Sequence, residues 1–97
     1  MRFKLKFSEQ AGLNLAELEN NKSKKGILKQ VKKVLGFMET NLKHPSLNTH
    51  KFDGMSCSLG DVFETYAQNN TPGAYRIFWA YGPSKGQIYV LDITPHP

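Results

Sequence analysis

Ala74-Tyr75-Arg76-Ile77-Phe78-Trp79-Ala80-Tyr81 is the stretch whose reading decides the fold. Its apolar and aromatic content, broken by one charge, reads as a central β-strand. Strand alternation puts Arg76 on one face with Phe78 and Ala80, and Tyr75, Ile77, Trp79 and Tyr81 on the other. Downstream, Gly82-Pro83-Ser84-Lys85-Gly86 marks a turn and Gln87–Ile93 reads as the last strand. Upstream, Asn69-Asn70-Thr71-Pro72-Gly73 is a loop by composition, and Asp61–Gln68 reads as a strand whose larger members are Val62, Phe63 and Tyr66. His50-Lys51-Phe52, ahead of the Asp53-Gly54 turn signal, suggests a short extra strand. Strands joined by short turns imply an antiparallel sheet.

The amino-terminal half changes period. Phe3, Leu5 and Phe7 alternate with Arg2, Lys4 and Lys6, the pattern of a half-buried strand. Ser8 is placed to cap a helix with Glu9 in its first turn and Ala11, Leu15 and Leu18 along its apolar side. Ser23 is a second candidate cap, followed by Ile27, Leu28, Val31, Val34, Leu35 and Met38 at amphipathic helical spacing. That pattern runs out near Asn41. The predicted order is therefore β-α-α-β-β-β, an α+β fold in which an N-terminal helix hairpin packs on one face of the sheet.

The chain has 97 residues, enough for one domain spanning 1–97 and too few for separate cofactor and substrate domains. A mean hydropathy of -0.48 fits a globular protein. No apolar run approaches the roughly 20 residues of a membrane span, and the alternating start lacks the continuous apolar segment of a secretory signal. The expected setting is cytoplasmic. The single Cys57 excludes an internal disulfide and a cysteine-built zinc site. The net charge of +5 is unevenly spread: residues 1–51 hold eleven Lys/Arg against four acids, and residues 52–97 hold two against four. Lys25, Lys29, Lys32 and Lys33 form a stripe on the second predicted helix, which suits a nucleic acid or other polyanion, or simply a solvated face.

Four segments carry a resemblance to a known family: Pro45-Ser46-Leu47 leading into His50-Lys51-Phe52, then Val62-Phe63-Glu64, then Ala74-Tyr75-Arg76-Ile77-Phe78-Trp79, then Ile93-Thr94-Pro95-His96-Pro97. In length, element order and these motifs the chain resembles the RelE/ParE superfamily of bacterial type II toxin–antitoxin toxins. A Tyr-Arg step before an apolar strand and a histidine after the final strand both recur in that family. The resemblance implies a toxin neutralised by a small cognate antitoxin. It implies either a RelE-like endoribonuclease (an mRNA interferase) that cuts mRNA on the ribosome, or a ParE-like inhibitor of DNA gyrase. A catalytically silent relative that binds RNA or an antitoxin is a third possibility. No metal and no cofactor belong to the RelE-like mechanism.

Metal-free RNA cleavage needs a group to take the proton of the ribose 2′-hydroxyl, charge to stabilise the phosphate, and a proton for the leaving 5′-oxygen. Arg76 is the candidate phosphate clamp, because its planar fork suits a phosphate; alternatively it pairs with Glu64 or Asp92. His96 is the candidate general acid or base, since imidazole titrates near neutral pH. Lys51 would add a second positive charge, and Glu64 would act as a base or orient Arg76. Lys25, Lys29, Lys32, Lys33, His50 and Tyr81 complete the expected RNA-binding set, with ribosomal RNA on the lysines and a base on Tyr81. Some RelE-like toxins carry a basic cluster on the sheet. The strand with Glu64 and Tyr66 has no basic residue, so the resemblance implies the His/Arg/Glu variety.

Overall fold

The computed structural model describes residues 2–68 and 73–95. Along the chain run β1 (Lys4–Phe7), α1 (Glu9–Asn20), α2 (Lys25–Thr40), β2 (His50–Lys51), β3 (Phe63–Tyr66), β4 (Tyr75–Tyr81) and β5 (Gln87–Pro95), with single 3-10 turns at Lys22–Lys24 and Pro45–Leu47. The five strands form one sheet in the order β1-β5-β4-β3-β2. All neighbours are antiparallel except β1 and β5, which run parallel. The α+β architecture read from the sequence is the one observed.

Ser8 caps α1 as its position suggests. Its Oγ accepts from the Ala11 amide at 3.0 Å and donates to the Leu91 carbonyl at 2.7 Å, so one hydroxyl both starts the helix and ties it to β5. The second cap differs from expectation. The Asn21 carboxamide accepts from the Ser23 amide at 3.1 Å and the Ser23 hydroxyl at 2.6 Å. With its hydroxyl engaged there, Ser23 lies inside a 3-10 turn that Asn21 caps, and α2 begins at Lys25 without a side-chain cap. β3 is shorter than the Asp61–Gln68 expected, because Asp61 and Val62 belong to the loop after β2. Phe3 and Leu5 pack on the core, whereas Phe7 is 39% exposed at the end of the edge strand, where the chain turns into α1.

Both helices lie on one face of the sheet. Ala11, Leu18, Val31, Val34, Leu35 and Met38 meet Tyr75, Ile77, Trp79, Ile88, Val90 and Ile93. The Trp79 indole N–H donates to Thr65 Oγ1 at 2.8 Å, and Thr65 shares a hydrogen bond with Thr49 at 2.9 Å, so these two buried side chains are satisfied. Phe78 and Ala80 are buried on the opposite face, outside the helix-side core. There the 52–62 loop covers them, with the Phe52 ring 4.8 Å from Phe78. The ladder between β4 and β5 shifts at this level, with Phe78 opposite Asp92 and Trp79 opposite Val90, which leaves Leu91 as the extra residue of a bulge.

Candidate functional site

The site grows out of strand register. β3 and β4 set Tyr66 opposite Arg76 and Glu64 opposite Phe78. β2 adds His50 opposite Glu64. These pairings bring Arg76, Glu64, Tyr66 and His50 together on the sheet face away from the helices.

Arg76 is 1% exposed and Glu64 2%. A buried carboxylate and a buried guanidinium are tolerated together because each offsets the other's lost hydration. Glu64 Oε2 lies 3.8 Å from Arg76 Nε, and Glu64 Oε1 lies 2.7 Å from His50 Nε2. The guanidinium sits 3.9 Å above the Tyr66 ring, a cation–π contact. Its Nη1 donates to the carbonyls of Ala74 and Tyr75, each at 3.2 Å. The edge of the His50 ring meets the same tyrosine, centroid to centroid at 5.7 Å and 86°. Asp92, the other acid considered for Arg76, accepts instead from Asn14 on α1 at 2.6 Å.

His50 is the solvent end of this row, with its side chain 47% exposed. Its Nδ1 lies 3.0 Å from the Asn48 carbonyl. Both ring nitrogens therefore lie within hydrogen-bond distance of an oxygen. Asn48 holds its carbonyl there in a left-handed conformation, φ 47°, which asparagine adopts more readily than most residues. The row sets an imidazole between a buried carboxylate and solvent, where an arriving ligand would meet it.

Other expected site residues lie elsewhere. Lys51 falls opposite Phe63, on the other side of β2 from His50, and its ammonium is 3.5 Å from Asp61. Lys25, Lys29, Lys32 and Lys33 are exposed on α2, in the helical layer behind the sheet. Of these, Lys32 sits 3.6 Å from Glu19, and Lys33 lines a groove of 470 Å³ that runs from α2 to Tyr66. Their neighbour Lys24 has its pKa raised from the ordinary 10.5, first by its hydrogen bond to Glu17 and then by Tyr75. Tyr81 stands on the helix side of β4, away from Arg76. His96 lies outside the described residues. Sequence reading puts His50 in the RNA-binding set without its contact to Glu64, and does not single out Asn48. The His50–Glu64 pairing depends on how the intervening loop folds back, which no local pattern reveals. Among the described residues no group of three His, Cys, Asp or Glu side chains gathers as metal ligands, and no helix is long and apolar enough to cross a membrane.

Neither a family model nor a curated protein matches the chain. Solved structures do. The YoeB/ParE toxin from Agrobacterium tumefaciens superposes with a TM-score of 0.71 at 6% identity, covering 98% of this chain and 100% of that one. The toxin of the YoeB–YefM toxin–antitoxin heterotetramer from Staphylococcus aureus gives 0.68 at 16% identity, covering all of both chains. The archaeal RelE–RelB complex from Pyrococcus horikoshii gives 0.65 at 15% identity, covering 98% and 96%. The chain has the fold that these toxins share.

Proposed function

We propose that this protein is the toxin of a type II toxin–antitoxin system, acting as a metal-independent endoribonuclease on ribosome-bound mRNA. One observation carries the reading: a half-exposed imidazole held 2.7 Å from a buried carboxylate that Arg76 flanks from the other side. Such a row is more than a fold of this size needs, and a buried charge pair is weak evidence for stability alone. The shared fold with YoeB and RelE toxins, two of them solved with their antitoxins, supports the toxin reading and a small antitoxin as partner.

In the reaction the ribose 2′-oxygen attacks the adjacent phosphorus and the bond to the 5′-oxygen breaks, leaving a cyclic phosphate and a 5′-hydroxyl. His50 donates the proton that the leaving 5′-oxygen takes up, and His96 accepts the one lost by the 2′-hydroxyl. Arg76, buried beneath its partners, is a positioning residue: it holds Glu64, which holds His50, and its charge favours the anionic transition state across a short, poorly screened distance. The α2 lysines and Lys51 bind ribosomal RNA by phosphate contacts.

The test is controlled expression in a bacterial host of wild type, His50→Ala, His96→Ala and Arg76→Lys, following protein and DNA synthesis separately and mapping new mRNA 5′ ends. Early loss of protein synthesis, with new ends that disappear in all three variants, is expected. Removal of either proton-transfer group should lower cleavage by about 100-fold or more. Arrest of DNA synthesis that ignores both histidines would replace this reading with gyrase inhibition.

A further inference from the structure

On the helix side of the sheet, a groove of 430 Å³ opens between the 42–49 segment and the outer ends of β3 and β4. One wall is aromatic. Phe63 stacks on Trp79 with centroids 4.9 Å apart, and Tyr81 stands edge-on to them at 5.6 and 5.0 Å. Tyr81 itself is 50% exposed. The facing wall carries Lys43, His44, Asn48 and Thr49. His44 is fixed in place, stacked on Phe37 at 4.4 Å, with Nδ1 accepting from the Ser46 amide at 3.2 Å. Among the described residues no acid lines this groove.

We propose that the groove holds an unpaired nucleobase of RNA, with Tyr81 as its stacking surface and Lys43 beside the adjoining phosphate. An aliphatic ligand would bury the polar wall without partners, and a simple anion would use Lys43 and leave the tyrosine unexplained. A nucleotide uses both walls, because every base has a π-face and polar edges and carries a phosphate. The groove is separate from the His50–Glu64–Arg76 row. Thr49 lines it while the next residue, His50, belongs to the opposite face, so one RNA strand crossing the β2 edge reaches both. The inference rests on RNA being the substrate class proposed above.

Trp79 is the chain's single tryptophan and lines the groove, so its emission reports occupancy. The intact protein is titrated with single-stranded hexaadenylate and hexauridylate, reading tryptophan emission and the anisotropy of end-labelled RNA. The hexamers should change the emission, Tyr81→Ala should weaken binding about tenfold, and Tyr81→Phe should stay within about twofold, as a stacking contact predicts. Tyr81→Phe preserves the packing against Trp79, so it also serves as the folding control. The proposal fails if wild type does not bind the hexamers, if emission is unmoved at saturation, or if Tyr81→Ala binds as wild type does. RNA held through Tyr81 with no transcript cut would sink the nuclease reading and leave the groove. Cutting that needs His50, with Tyr81→Ala binding unimpaired, would do the reverse.

Discussion

A carboxylate at Glu64 with almost no solvent contact is tolerable because His50 approaches one oxygen at 2.7 Å and Arg76 the other at 3.8 Å. Removing it takes away the buried carboxylate beside the Arg76 guanidinium and the acceptor that His50 faces. Glu64→Ala should destabilise the protein by about 3 kcal/mol, measured as a lower midpoint in urea unfolding, and Glu64→Gln by less because it keeps the volume and an acceptor. At this scale much was legible. The face of Arg76 followed from alternation along β4, and Glu64 was foreseen as its possible partner. The contact of His50 with Glu64 was not legible, because thirteen residues lie between them and the pairing depends on how that segment folds back. Lys51 shows the converse: its charge was plain, and a period of two carried it to the other side.

Among the elements, α2 was the most legible, since its apolar spacing predicts both its extent and its buried stripe of Val31, Val34, Leu35 and Met38. Its start was not, because Asn21 caps a 3-10 turn over Lys22–Lys24 that takes up Ser23, and α2 begins after it at Lys25. Two glycines weaken this helix. A Cβ added at Gly26 or Gly36 would meet nothing within 4 Å, and both positions are exposed. Gly26→Ala and Gly36→Ala should each stabilise the fold by about 0.5–1 kcal/mol through lower unfolded-state entropy and better helix propensity. A rise in melting temperature that adds in the double variant checks this, the sites lying far enough apart to act independently. Gly82, at φ 115°, admits no such exchange.

Over the whole molecule, the uneven charge read from the sequence becomes spatial: the exposed lysines of α2 lie behind the sheet and the buried ion pair in front of it. If those lysines hold RNA phosphates, affinity for single-stranded RNA falls with salt, and each of Lys25→Ala, Lys29→Ala and Lys33→Ala flattens the logarithmic slope by about 0.7. Equal slopes for wild type and the triple variant would assign the stripe to solubility alone. The feature least visible beforehand was the parallel pairing of β1 with β5. It joins segments more than eighty residues apart, and nothing local announces it. That pairing has a consequence in time. Translation delivers β1 and both helices early, yet β1 has no neighbour in the sheet until β5 has been made, and β4 likewise waits for β5 on one side. Contacts this distant in sequence slow folding. A chain still being synthesised can pair only β2, β3 and β4, so the five-stranded sheet, with β1 joined to the rest, closes only after β5 has been made.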